Sequence, residues 1–382
     1  MKRIGVDIRI LAQEQWTGIA HYTCRLLHAV LAKDRENEYI LFYSAAQKKL
    51  RRKIPRFSGV KPVQYVGLKL PNRLLNASFS LLNFPHLDEL IAPSHAALDV
   101  FWSPNINFLT LSKNPRLLKI LTVYDLSFEI FPEFFSLRQN AWYKAVRAKM
   151  LCEKFDKIIT VSHNSRDDLI EKYGVSKEKI KVIYPGADDQ TPLLKNPSLP
   201  ETVRKKYRLP QTFVLSLGTL EPRKNTLALI EAIERINEHI PEPLHLVLAG
   251  KIGAKGNPLE SSQNNDKIHS IGYVDERDKH ALYQMASCFV FPSMYEGFGM
   301  PVLEAMQAGV PVITSSHSSL KEVARSAALL VNPYNLEELS SALLAMLSSA
   351  RLREHFIRKG RERASDFSWA QATSELLKLF AL

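Results

Sequence analysis

Cysteine is scarce. Cys24, Cys152 and Cys288 are the only three in the chain, too far apart for a C-x-x-C pair and not an even set, so a disulfide framework is excluded and reduced core thiols remain. No stretch reaches the roughly eighteen uninterrupted apolar residues of a membrane span. The opening MKRIGVDIRILA has too short an apolar run for a signal peptide, so a cytoplasmic protein is expected. D-x-D, H-E-x-x-H and clustered Cys and His are missing, which leaves no candidate metal ligands. G-x-G-x-x-G is missing from the first-strand turn of each half, and the glycines of AGKIGAKG have the wrong spacing. A nicotinamide dehydrogenase thereby loses its fingerprint. There is no internal repeat and no low-complexity tract.

What is present points to two domains. The 382 residues exceed one ordinary core, and 46% apolar with 24% charged residues is normal for a soluble globular chain. The formal net charge is +12, and its excess sits in the first half, where residues 1–190 carry 29 Lys and Arg against 19 Asp and Glu. Strand-like runs KRIGVDIRIL, EYILFYS, DVFWSP, LLKILTVYD, KIITVS and KVIYPG mostly alternate with helical stretches such as GIAHYTCRLLHAVLAKD and LRQNAWYKAVRAKMLCEKF. The proline-rich ADDQTPLLKNPSLPE then reads as a linker. Beyond it FVLSLG, LHLVLAG, IHSIGYV, CFVFPS and VPVITS resume the pattern. The expected fold class is α/β, with two doubly wound Rossmann-like domains, 1–190 and 205–365, and a final helix in 366–382 packing back on the first. Such sheets bind ligands beyond the carboxyl ends of their strands.

The stretch SMYEGFGMPVLEAMQAGVPVITSS carries the densest chemistry. CFVFPS has the continuous apolar character of a buried parallel strand. Gly297 and Gly299 permit a tight turn, Pro301 suits the first helical position and Gly309 the left-handed residue after the helix. Strand, turn and helix amino terminus make a phosphate site, with the backbone of Gly297, Phe298, Gly299 and Met300 as candidates to approach it. Glu296 and Glu304 fit hydroxyl groups better than anions, each charge-assisted bond contributing about 1.5–3 kcal/mol. The alternative is that both glutamates cap the helix or face solvent. In VLSLGTLEPRKNTLALIEAI a second buried strand ends at Gly218, and Arg223 and Lys224 precede a helix capped by Asn225 or Thr226. Adjacent Arg and Lys at a strand's carboxyl end suit two phosphates; a solvated loop pair is the bland alternative.

These residues resemble family 4 of the retaining glycosyltransferases, of GT-B fold, over nearly the whole chain. The specific parts are EGFGMPVLE at 296–304 with AMQAGVPVITS, and GTLEPRKN at 218–225; TGIAHYT, TVYDLSFEIFPEFFS, TVSHNSRDDL, KVIYPGAD and IGYV agree more weakly. The resemblance implies that Glu296 contacts the donor sugar, Glu304 the ribose, Arg223 and Lys224 the diphosphate, and that Gly18 lies near the donor phosphates. It implies a metal-independent hexosyl transfer from a nucleotide diphosphate sugar, with no other cofactor, to a glycan or lipid-linked acceptor. Where the family commonly has His-Asp, this chain has Tyr124-Asp125; where it often has G-I-G-R-Y, it has Gly18-Ile19-Ala20-His21-Tyr22. Tyr124 and Asp125 thus become candidate catalytic residues, with a plain core aromatic as the alternative for Tyr124. The YDLSFEIFPEFFS segment resembles mannosyltransferases of polysaccharide assembly, so GDP-mannose is the favoured donor and a UDP-hexose the next; a catalytically silent binding protein is a further reading.

QKKLRRKIPRF, 47–57, packs six cations beside Leu50, Ile54 and Phe57 at helical spacing. An amphipathic helix on an anionic membrane surface is one reading and a solvated basic face the other. Nucleic acid is not expected as a partner, since no recognition motif accompanies the charge.

Overall fold

The computed structural model describes residues 1–92, 97–187, 198–253 and 265–382. Among the described residues, short, apolar, largely β-branched or aromatic runs form thirteen strands, and every pairing is parallel. The chain divides into two units.

The first unit takes Met1–Leu126, Leu137–Gly186 and Ser368–Leu382. Its strands are β1 (Arg3–Asp7), β2 (Glu38–Ser44), β3 (Val63–Leu68), β4 (Val100–Ser103), β5 (Leu118–Thr122), β6 (Lys157–Thr160) and β7 (Ile180–Val182), in the order β3-β2-β1-β4-β5-β6-β7. Ile4 faces Tyr39 on one side and Val100 on the other, so β1 lies at the centre, where the order reverses. Trp102 is fully buried, and its indole N–H donates to Thr122 Oγ1 at 3.0 Å, so the ring fills the core without an orphaned donor. The last helix, Trp369–Phe380, opens with Ser368 accepting from the Ala370 amide. It packs Trp369 against Tyr22 (5.6 Å between rings) and Phe380 against Trp102 (6.1 Å).

The second unit takes Ser127–Ser136 and Ala187–Phe367. Its strands are β8 (Phe213–Leu217), β9 (His245–Ala249), β10 (Ile268–Gly272), β11 (Cys288–Phe291), β12 (Val312–Ser315) and β13 (Leu329–Val331), in the order β10-β9-β8-β11-β12-β13. Val214, Leu246, Val290 and Ile313 meet Leu229 and Ile233 of the helix Thr226–Asn237 in one core. Each fully buried aliphatic side chain there stabilises by about 1.5–3 kcal/mol. The order reverses between β8 and β11, so the residues that follow those two strands share a crevice mouth.

Several expectations change. Ser127–Ser136 belongs with the second unit rather than with 1–190, because Phe131 stacks on Phe134 and packs 5.7 Å from Tyr295. The stretch 137–155 is two helices, Leu137–Val146 and Ala148–Lys154, broken where Arg147 turns left-handed at φ 55. Two further strands appear: β3, VQYVGL, has no buried residue to give it an apolar run, and β13, LLV, spans three residues. The proposed linker falls largely on 188–197, outside the described residues, and so does the boundary at 190. All three cysteines are buried thiols, with Cys24 and Cys152 each pushed up to about 12 by burial. No described helix is long and apolar enough to cross a membrane.

The segment 47–57 forms only a short helix, Lys48–Lys53. Its apolar edge faces inward: Ile54 and Phe57 are buried and Leu50 is half-buried. That edge is therefore spent on the protein's own core and cannot insert into a bilayer, which corrects the amphipathic-helix reading.

Candidate active site at the β8/β11 switch point

Two loops build the site, and backbone geometry joins them. After β8 the chain passes Gly218 and reaches Pro222–Lys224 as one 3-10 turn. After β11 it passes Ser293 to Glu296. The Met294 amide donates to the Arg223 carbonyl at 2.8 Å, tying one loop to the other. A close approach beside them demands glycine: a Cβ on Gly250 would stand 1.8 Å from the Gly218 carbonyl oxygen.

Three sequence candidates converge here. Glu296 is buried and receives Lys224 Nζ at 2.5 Å on Oε1 and Arg223 at 3.0 Å on Oε2. Arg223 also pairs with Glu221 at 3.1 Å and donates to the Tyr295 carbonyl. Lys224 lies 4.7 Å over the Phe291 ring, and its Cε would stand 3.7 Å from a Cβ placed on Gly218. Burial alone would raise the Glu296 carboxyl. The charges of Arg223 and Lys224 outweigh it and hold the group at about 2. Burial, followed by the charge of Arg223, lowers the Lys224 ammonium, against the upward pull of Glu296. The result is a preorganised, partly desolvated pair of cations that holds buried Glu296, with Glu221 on Arg223, where charge interactions exceed their strength in water.

Serines missed by sequence reasoning fix Glu296 itself. Ser318 Oγ accepts from the Glu296 amide at 3.0 Å, and the Ser319 hydroxyl donates to its carbonyl at 2.8 Å. Ser318 sits at φ 53, a left-handed position unusual for a residue with a Cβ. The findable signal was place: Ser318 and Ser319 follow β12, the strand next to β11, on the same carboxyl edge.

Glu304 stands on the helix Met300–Ala308 and has its own partners. It accepts from the Tyr283 hydroxyl at 3.0 Å and lies 3.8 Å from Lys279, two residues that the sequence reading passed over. The helix begins at Met300, one residue before the expected Pro301, because Gly299 takes the capping position at φ 101. Gly309 closes it left-handed at φ 76. Gly297 is buried and Met300 half-buried. The Phe298 ring is buried and packs edge-on against Phe367 at 5.5 Å, which leaves its backbone for a ligand. Asn225 is left-handed at φ 58, and its side chain donates to the Pro333 carbonyl rather than capping the next helix.

The first unit holds the remaining candidates. Gly18 opens the long helix Gly18–Lys33, and nothing lies within 4 Å of where its Cβ would be. Tyr124 follows β5, and its hydroxyl meets Thr23 Oγ1 at 3.3 Å while its ring stands 5.3 Å from Tyr22. Burial and Tyr22 push that phenol well above its ordinary range, so it holds its proton at neutral pH and serves as a hydrogen-bonding group. Ser165 donates to the Tyr124 carbonyl at 2.7 Å, beside half-buried Asp125. Among the described residues no three His, Cys, Asp or Glu form a group that could hold a metal ion.

Two family models match this chain. The family described as Glycosyl transferases group 1 matches residues 201–363, and Glycosyltransferase Family 4 matches 16–191. An O-antigen chain mannosyltransferase B of Escherichia coli is 32% identical over 272 residues, covering 69% of this chain and 70% of its own. A mannosylfructose-phosphate synthase of Agrobacterium fabrum is 28% identical, over 64% of this chain and 57% of its own. The serotype-specific mannosyltransferase WbdA of Escherichia coli is 28% identical, but the match spans 28% of its length. Among solved structures, Anabaena Alr3699/HepE in complex with UDP and glucose superposes with a TM-score of 0.72 at 18% identity, covering all of both chains. WaaG, a glycosyltransferase involved in lipopolysaccharide biosynthesis, gives 0.70 at 18% over 99% of each. These neighbours share the GT-B fold with this chain.

Proposed function

Because the chain belongs to the family 4, group 1 glycosyltransferases, we propose that it transfers a hexose, mannose from GDP-mannose, with retention of anomeric configuration. The acceptor is a glycan or lipid-linked saccharide of surface polysaccharide assembly. The observation that carries the reading is the single cluster of Arg223, Lys224 and Glu296 at the β8/β11 crevice mouth. Relatives named as mannosyltransferases support the sugar.

The cluster suits the chemistry. When the bond from the anomeric carbon to the diphosphate oxygen breaks, its electron pair goes to that oxygen and positive charge grows on the ring. Arg223 and Lys224 stabilise the departing diphosphate, and each such donor is worth about 3–4 kcal/mol of barrier. Glu296, ionised at any working pH, accepts a hydrogen bond from a sugar hydroxyl. The turn at Gly297–Met300 brings a helix amino terminus toward the phosphates, and Glu304, oriented by Tyr283, receives the ribose. The acceptor oxygen attacks the face the diphosphate leaves, and the departing phosphate oxygen takes the acceptor's proton.

The test is a donor screen by thermal shift with GDP, UDP, ADP and their common sugars, followed by NMR of the product anomer. GDP-mannose should shift the transition most and yield an α-linked mannoside. A shift with UDP-hexoses alone would reassign the donor, and a β product would remove the retaining mechanism.

A further inference from the structure

Two aromatic rings stand on the carboxyl edge of the second sheet beyond the β8/β11 cluster, and the proposed transfer uses neither. His317 follows β12 and Tyr334 follows β13, the next two strands after β11 in the sheet order. Their rings lie 5.7 Å apart at 83°, so they form a corner. Tyr334 is 60% exposed, and His317 is exposed as well. The backbone beneath them is firmly held. The Tyr334 amide donates to Asn332 Oδ1 at 3.1 Å and the Asn335 amide to the Asn332 carbonyl at 3.0 Å, just before the helix Leu336–Ser348. The His317 amide donates to Ser315 Oγ at 3.0 Å, and the Ser316 amide donates to the Val331 carbonyl at 2.8 Å, joining one loop to the other. Rings on loops ordered in advance bind a ligand without a loop-ordering penalty.

From this corner we infer a saccharide subsite on the second unit, where His317 and Tyr334 take one neutral sugar residue of the glycan acceptor. Charge selects the ligand class. In a chain of net charge +12, residues 310–320 and 328–336 contain no Lys, Arg, Asp or Glu, so the two loops offer a phosphate or carboxylate no counter-ion. The Glu338 amide at the start of the following helix is already taken by the Asn335 side chain. What the loops do present is two ring faces beside hydroxyl and imidazole groups, with Ser316 Oγ 3.2 Å from His317 Nδ1. A pyranose matches that set: its C–H face suits the negative face of a ring, and its hydroxyl rim suits the polar neighbours. Placement ties the subsite to the β8/β11 cluster. Ser318, next to His317, accepts from the Glu296 amide at 3.0 Å. The Asn225 side chain donates to the Pro333 carbonyl at 2.6 Å and so holds the Tyr334 loop to the turn of Arg223 and Lys224. A glycan whose terminal sugar meets the hexose at Glu296 can extend along this sheet edge onto the corner.

The subsite deepens the acceptor side of the proposed function and rests on it only for the link to transfer. Saccharide binding is measured on the full chain without donor, so its failure would leave hexosyl transfer standing. Saturation-transfer NMR with α-mannotriose and with maltotriose should show signal on the C–H protons of at least one of them. Tyr334→Ala should weaken that binding by about fivefold or more and His317→Ala by about twofold, while Tyr334→Phe binds like wild type, because stacking needs the ring and not its hydroxyl. Both side chains are exposed, and circular dichroism checks each variant's fold. Calorimetric GDP affinity should be the same in these variants as in wild type, which separates the corner from the diphosphate cluster. No signal on either trisaccharide at millimolar concentration, or a Tyr334→Ala variant that binds like wild type, would overturn the inference. So would a concentration-dependent dimer that Tyr334→Ala dissolves while neither sugar binds, because the corner would then be a self-association face.

Discussion

Each sheet reverses its strand order once, and each reversal carries a cation–carboxylate cluster of a different kind. At β1/β4, Arg9 grips Asp7 through two nitrogens at 2.6 and 2.9 Å, lies between the Phe42 and Phe79 rings and donates to the Phe108 carbonyl. Both of these side chains are 1% exposed. At β8/β11, Arg223 and Lys224 share Glu296 and stay 18% and 13% exposed. A sealed pair with matched charge holds a loop in place. In the second cluster Arg223 also pairs with Glu221, which is 30% exposed, and that outer pairing can be exchanged for an incoming anion. The first cluster is scaffold, and the second is the machinery we propose.

Breaking each cluster should therefore produce opposite phenotypes. The largest effect is expected from Arg9→Met, which strands a buried Asp7 and should cost about 3–5 kcal/mol of stability in denaturant unfolding. Nucleotide affinity of the folded variant should be unchanged. Next, Glu296→Gln should lower the rate of transfer by about 10²–10³-fold while nucleotide diphosphate binding persists; a rate within a few-fold of wild type would take Glu296 out of the chemistry. Ser318→Ala should lower kcat by about tenfold with little change in KM, since it removes one hydrogen bond that orients Glu296. Ser318→Gly, which relaxes the left-handed backbone but also lacks the hydroxyl, should show the same kcat loss at equal or higher stability. The smallest effect is in acid. Glu296 is held at about 2 against an ordinary 4.5, so its ion pairs stabilise the fold above about pH 4.5 and fade as pH falls toward 2. The stability gap between wild type and Glu296→Gln should shrink across that window.

How far the sequence could be read follows the same split. Continuous runs such as CFVFPS and FVLSLG announced buried parallel strands, because burial on both faces removes any alternation. Gly299 and Pro301 of EGFGMPVLE marked the turn into the helix, since few residues other than glycine accept φ 101. Arg223, Lys224 and Glu296 were legible as chemistry that seventy residues of sequence separate and one crevice reunites. Side-chain partners were not legible. That Phe298 packs on Phe367, that Tyr124 turns its hydroxyl to Thr23, and that Ser318 and Ser319 hold Glu296 all depend on tertiary contacts that leave no local pattern. The apolar edge of 47–57 misled for the same reason, because helical spacing does not say whether core or bilayer covers it.

The most direct measurement is calorimetric titration of GDP and UDP into wild type and into the Arg223→Ala, Lys224→Ala double variant. If the β8/β11 cluster holds the diphosphate, wild type binds its cognate nucleotide and the variant loses about 100-fold or more in affinity, as two charged hydrogen-bonding groups require. Equal affinity in both proteins, with the variant folded, would contradict it.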